Sequence, residues 1–99
     1  MKSTLFILLK SPYEYHDLDI IKTLRGGKAA AILFEDATLF SVCNKRRTDL
    51  LDVVDDVFVI ADDLEARGFK DKAGEGTQVI DYPHAIDLIM DEYDQTITL

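Results

Sequence analysis

Residues 57–69 read VFVIADDLEARGF, and the change of pattern inside them decides the fold. Val57, Phe58, Val59 and Ile60 form an unbroken apolar run of β-branched and aromatic residues. Such a run suits a strand buried on both faces. Asp62 and Asp63 follow at once. They are expected to cap a helix that begins at Leu64, with their charge matched to its positive end. Glu65 and Arg67 belong to that helix. Gly68 is expected to end it, because glycine adopts the left-handed conformation that a helix terminus favours. Strand, tight turn, short helix and stop make up a βα unit of a parallel sheet.

The pattern repeats on the amino-terminal side. Residues 5–9 are a second unbroken apolar run, expected to lie centrally in the sheet and stopped by Ser11-Pro12. Tyr13, Glu14, Tyr15 and His16 then form a loop at the carboxyl end of that strand, the edge where open α/β sheets bind ligands and partners. Asp17 is a fair cap for a helix over residues 18–25, with Leu18, Ile21 and Leu24 as its apolar stripe and Ile20 alongside. Gly26-Gly27 closes the helix. Because the pair follows a helix and does not precede one, it reads as a C-terminal stop and not as a phosphate loop. Residues 29–34 form the next strand, ending in Glu35-Asp36. A helical turn is expected near residues 38–42. Cys43, Asn44 and the basic run Lys45, Arg46, Arg47 follow, and then a short helix or turn over residues 49–54 buries Leu50, Leu51 and Val54.

On the carboxyl-terminal side, residues 69–78 contain two glycines and four charges and read as a flexible surface loop. Val79-Ile80 makes a very short strand. Asp81, Tyr82 and Pro83 open the last helix, with proline at its first turn. Ala85, Ile86, Leu88, Ile89 and Tyr93 are expected on its inner face. Residues 96–99 alternate and should add an edge strand. The sum is one domain over residues 1–99, a three-layer α/β/α sandwich with a mainly parallel sheet of about five short strands.

Bulk properties narrow the function. The 99 residues are 47% hydrophobic, ample for a packed core. A formal net charge of −8 argues against direct nucleic-acid binding and against anionic membrane surfaces. One cysteine cannot form an internal disulfide, which points to a reducing cytoplasm. Neither a signal-peptide core nor a membrane span is legible.

Cys43 is the one thiol, and Lys45, Arg46 and Arg47 beside it would favour a thiolate. It is therefore the candidate sulfur acceptor, although a lone cysteine is more often a half-buried structural residue. Glu35, Asp36, Asp62, Asp63 and Asp81 follow three successive strands, so a parallel sheet aligns them on one edge. Carboxylates there suit Mg²⁺. Helix capping explains most of them more simply, and no metal is expected. A phosphoacceptor site is disfavoured, since Lys10, and not an acid, ends the first strand. His16 and His84 stand far apart, which excludes zinc with a single cysteine. Tyr13 and Tyr15 in one loop suit an interface; the plainer alternative is that the rings pack over helix ends. No nucleotide motif or Ser-His-Asp arrangement is legible, and no cofactor is expected.

ADDLEARGF, followed by VIDYPHAIDLI, resembles the DsrH/TusB branch of the DsrE/DsrF/DsrH-like family of sulfur-relay proteins. LFILLKSP and AAILFEDA are similar to that family's first and second strands. The order of motifs is kept across nearly the whole chain. The resemblance implies persulfide transfer between protein cysteines, as in tRNA 2-thiouridine synthesis or dissimilatory sulfur metabolism. It also implies homo-oligomers or assembly with DsrE/DsrF-like (TusC/TusD-like) subunits. In catalytic members the sulfur-carrying cysteine ends the third strand; here that place is Ile60-Ala61. Some DsrH members carry a cysteine in the first helix; residues 18–25 contain none. The chain thus resembles members that serve as accessory subunits, with an expected interface of Tyr13, Tyr15, His16, Asp62, Asp63, Arg67 and Tyr82. Two alternatives stand beside this: an independent persulfide carrier using Cys43, and a small acidic metal- or protein-binding regulatory module.

Overall fold

A computed structural model describes residues 2–14 and 18–99. Five strands form one sheet: β1 (Thr4–Leu8), β2 (Ala29–Leu33), β3 (Asp56–Ile60), β4 (Thr77–Ile80) and β5 (Gln95–Thr98). Their order is β4-β3-β2-β1-β5, and every neighbouring pair is parallel. The apolar runs account for this arrangement. β2 is buried along its whole length, and β1 and β3 are nearly so, as expected of strands with a layer on each face. β2 holds the centre, with β1 and β3 each one strand in from an edge. The carboxyl-terminal strand is an edge strand, as its alternation implied. Strand one ends at Leu8, and Leu9 is already exposed.

The helices are α1 (Asp19–Leu24), α2 (Leu39–Val42), α3 (Asn44–Leu51), α4 (Ala61–Ala66) and α5 (Tyr82–Asp87). A 3₁₀ turn, Glu35–Thr38, precedes α2, and a π-helical turn, Leu88–Glu92, continues α5. The chain steps β1 to β4 in one direction. Right-handed crossovers therefore put α1 to α4 on one face. Ile21, Phe40, Leu50 and Leu64 from those helices pack with Phe6, Leu8, Ala29, Ala31, Leu33, Val57 and Val59. The return from β4 to β5 crosses the other face. There, among the described residues, α5 and its π turn supply Ala85 and Leu88 against Leu5, Ala30, Ile32, Phe58, Ile60 and Ile80. The sandwich has three layers, but they are unequal.

Several expectations need correction. In α1 only Ile21 is fully buried; Ile20 and Leu24 are exposed, because a helix of six residues turns few positions toward the sheet. The cap expected of Asp17 lies outside the described residues. α3 starts at Asn44, five residues before the start expected at residue 49. Its first turn is polar and exposed, so hydrophobic periodicity does not register it. Ile86 is 58% exposed and not on the inner face. The segment after Gly68 is anchored: Phe69 and Ala73 pack on the core, and Gly74 N donates to the Ser41 carbonyl. Gly68 does adopt the left-handed φ of 78° expected of it.

The amino ends of the strands are stapled together. The Arg25 guanidinium donates to the Val53 carbonyl at 2.8 Å and to Asp55 Oδ2 at 2.6 Å, and the same carboxylate oxygen accepts from Ala29 N. Buried Thr4 Oγ1 donates to the Arg25 carbonyl and accepts from Gln95 Nε2, tying in β5. The opposite, carboxyl edge of the sheet is left to do something else.

Candidate functional site

Parallel strands deliver their following turns to one rim. Three such turns meet around Asp63. β2 ends in Phe34, Glu35 and Asp36; β3 runs directly into α4, which carries Asp62, Asp63 and Arg67; β4 leads through Asp81 to Tyr82 at the start of α5. Asp63 is 9% exposed. A carboxylate so enclosed needs donors for its lone pairs. Its Oδ2 accepts from Glu35 N at 2.7 Å, and its Oδ1 accepts from the Tyr82 hydroxyl at 2.6 Å. One side chain therefore joins the ends of three adjacent strands.

This differs from the capping role expected of the acidic pair. The residue at the α4 N-cap is Ile60, without a side-chain cap; Asp62 and Asp63 sit in the first helical turn. The helix begins at Ala61, because the strand passes into it without a spacer. Of the five rim acids, Asp81 does cap: its Oδ1 accepts from His84 N at 2.9 Å. Asp36 instead accepts from Arg67 Nε at 3.0 Å, and the Arg67 guanidinium also reaches the Asp63 carbonyl at 3.4 Å. Arg67 thus spans from α4 back to the turn after β2.

Asp63 also fixes an unusual backbone. Glu35 has a φ of +50°, in the left-handed region that non-glycine residues seldom occupy. The carboxylate that takes Glu35 N holds that conformation, leaving the Glu35 side chain exposed at the rim. Phe34 and Tyr82 rings lie 6.1 Å apart at 32°, closing the apolar floor beneath. The Tyr82 phenol is pushed up to about 12, first by its hydrogen bond to Asp63, then by burial, then by the charges of Asp63, Asp62 and Glu35. The rim is a preorganised negative surface with Tyr82 locked neutral. Phe34, Glu35 and Asp36 were not among the expected interface residues. The acids after strand two were the available signal, but a strand-end glutamate gives no hint of its φ.

Tyr13 is 71% exposed, in the turn after β1. Tyr15 and His16 lie outside the described residues. His84 is exposed on the first turn of α5, its ring 6.4 Å from that of Phe58. Cys43 occupies the break between α2 and α3, half-buried, with an extended backbone. Two residues earlier, the Ser41 carbonyl bonds Gly74, three residues ahead of β4, which puts this stretch toward the amino ends of the strands. The basic run has other partners. Arg47 donates to the Ser41 carbonyl and to Asn44 Oδ1, and Lys45 pairs with Asp49. Among the described residues, no group of three His, Cys, Asp or Glu side chains is arranged to hold a metal ion. None of their helices is long and apolar enough to cross a membrane.

The sequence profile of the family described as DsrH like protein matches residues 10–95. The chain belongs to the DsrH-like family. Membership relates it to sulfur-relay proteins, and DsrH-like proteins generally act in complexes with DsrE- and DsrF-like proteins. The fold is similar to the crystal structure of the ychN protein from E. coli, with a TM-score of 0.80, 14% identity and the full length of both chains covered. No curated protein matches the chain significantly. In this DsrH-like chain the βα turn after the third strand holds Asp63 and its network, and the sequence there, IADD, carries no sulfur.

Proposed function

We propose that this DsrH-like protein is an accessory subunit of a sulfur relay. It would support persulfide transfer between partner cysteines, in tRNA 2-thiouridine synthesis or sulfur oxidation in the cytoplasm, through assembly and not through its own thiol. The observation that carries this reading is the turn after β3. Asp63, buried and bonded to the turns on either side, occupies it. A carboxylate engaged in this way organises a surface; it offers no nucleophilic sulfur. The rim, with Asp62, Asp63, Arg67 and Tyr82, and with Tyr13 beside it, is the proposed contact region for DsrE- and DsrF-like subunits. Tyr15 and His16 extend the same proposal in sequence.

The test is a reconstituted relay containing a cysteine desulfurase, the DsrE- and DsrF-like subunits and this chain. With Cys43→Ser, sulfur throughput and assembly are expected to match the parent protein, and mass spectrometry of the parent chain after turnover should find no added sulfur on Cys43. Loss of throughput with Cys43→Ser, or a persulfide on Cys43 that turns over, would instead make this chain a carrier.

A further inference from the structure

The helix layer on the sparsely covered face of the sheet carries a surface the rim does not explain. Tyr82, Ile86 and Met90 recur every four residues along α5 and its π turn. Their exposures are 39%, 58% and 74%. Ala85 and Leu88 turn inward, and Ile89 and Tyr93 are half-buried against the same core cluster. The outer residues are thus a second apolar stripe, pointing away from the sheet. An apolar stripe left in water on a small monomer marks a contact surface. Tyr82 belongs to both surfaces, so the stripe is continuous with the rim.

The charge carried by the helix and its flanking chain says what covers it. All 11 Lys and Arg residues lie at or before residue 72. Beyond it come Glu75, Asp81, Asp87, Asp91, Glu92 and Asp94, with no cation at all. Asp87, Asp91 and Glu92 are exposed beside Ile86 and Met90. A second copy laid on this helix would bring the same carboxylates against themselves, and like charges across an interface oppose pairing. A surface with an apolar groove rimmed by lysine or arginine would complement it in both respects.

We propose that the stripe Tyr82–Ile86–Met90 docks a heterologous protein partner through a basic-rimmed apolar groove, and that it does not dock a second copy of this chain. The inference rests on the accessory-subunit reading for the partner's place in the relay. The partner's chemistry follows from this helix alone.

Binding of the full chain to purified DsrE- and DsrF-like subunits tests it, with two variants. Ile86→Glu/Met90→Glu alters only exposed side chains; Asp87→Lys/Asp91→Lys reverses the flanking charge and leaves the stripe. Both should retain the parent melting temperature and lose at least tenfold in affinity, and parent binding should weaken as salt is raised. Parent-like affinity in both variants would overturn the docking proposal while leaving the accessory reading intact. If the parent binds neither subunit, the accessory reading fails. The docking proposal is then decided by amide shifts on adding a lysine-flanked, leucine-striped helical peptide. Saturable shifts centred on residues 82–93 and absent in the Glu variant support it; no such shifts overturn it. Self-association of the chain alone that disappears in the Glu variant would also overturn it.

Discussion

At the scale of single residues, Asp63 and Tyr82 hold the rim in one arrangement. Asp63→Ala removes the acceptor from Glu35 N and from the Tyr82 hydroxyl together. It should cost about 1 kcal/mol in denaturant unfolding, the usual worth of a hydrogen bond whose part-buried donors water can reach once the acceptor is gone. It should also lower the Tyr82 pKa from about 12 toward the ordinary 10, read as phenolate absorbance in an alkaline titration. The stability linkage has a definite sign. Folding raises the Tyr82 pKa, so its contribution is complete below about pH 10, the unfolded value. It disappears as pH climbs through about 12, the folded value. The stability difference between the parent and Tyr82→Phe should therefore be flat up to pH 10 and shrink above it. A difference that stays constant across that range would mean the hydroxyl is not bonded as described. None of this was legible beforehand. Two adjacent aspartates before a helix look like caps, and only the approach of β2 and β4 from distant sequence turns one of them into a buried acceptor.

At the scale of elements, capping and close approach decide boundaries. Asp81 is the cap of α5, so Asp81→Ala should destabilise by about 1 kcal/mol and increase amide exchange at the first turn of that helix. Here the sequence was a good guide, because Asp-Tyr-Pro-His combines a capping side chain with a proline in the first turn. Glycines and charges make the segment before β4 look loose, and the reason it is not lies in a partner out of reach of any local pattern. A methyl group on Gly74 would run into the Arg47 guanidinium, which donates to the Ser41 carbonyl. Gly74→Ala should therefore dislodge Arg47. In a double-mutant cycle, Gly74→Ala should cost clearly less in an Arg47→Ala background than in the parent. Equal costs in both backgrounds would show that the glycine is needed for another reason. The outward turn of Ile86 escapes a sequence pattern for a related cause. Periodicity finds an apolar helix, but a helix with apolar residues on two sides does not say which side meets the sheet.

At the scale of the whole molecule, the unequal layers matter most. The strands were visible as apolar runs, and the parallel sheet followed from their alternation with helices. The order β4-β3-β2-β1-β5 was not visible, nor was its consequence that four helices cover one face while α5 and its π turn cover the other. The central strand begins with Ala29, Ala30 and Ala31, all fully buried, so both layers approach its backbone closely. Ala31 faces the four-helix layer and Ala30 the single-helix layer. Leucine at either place overfills a packed site and should cost about 1–3 kcal/mol. The two strains should be relieved differently. Against Ala31→Leu, the interlocked helices α1 to α4 resist as a unit, and the cost should appear as lower global stability with native-like exchange elsewhere. Against Ala30→Leu, the least costly relief is for the one opposing helix to lift. Hydrogen exchange should then quicken across residues 82–93 while β1, β2 and β3 keep their protection. Uniform loss of protection in both variants would mean that the two faces respond as one body, and that the thin layer has no independent freedom to adjust when a partner lies on it.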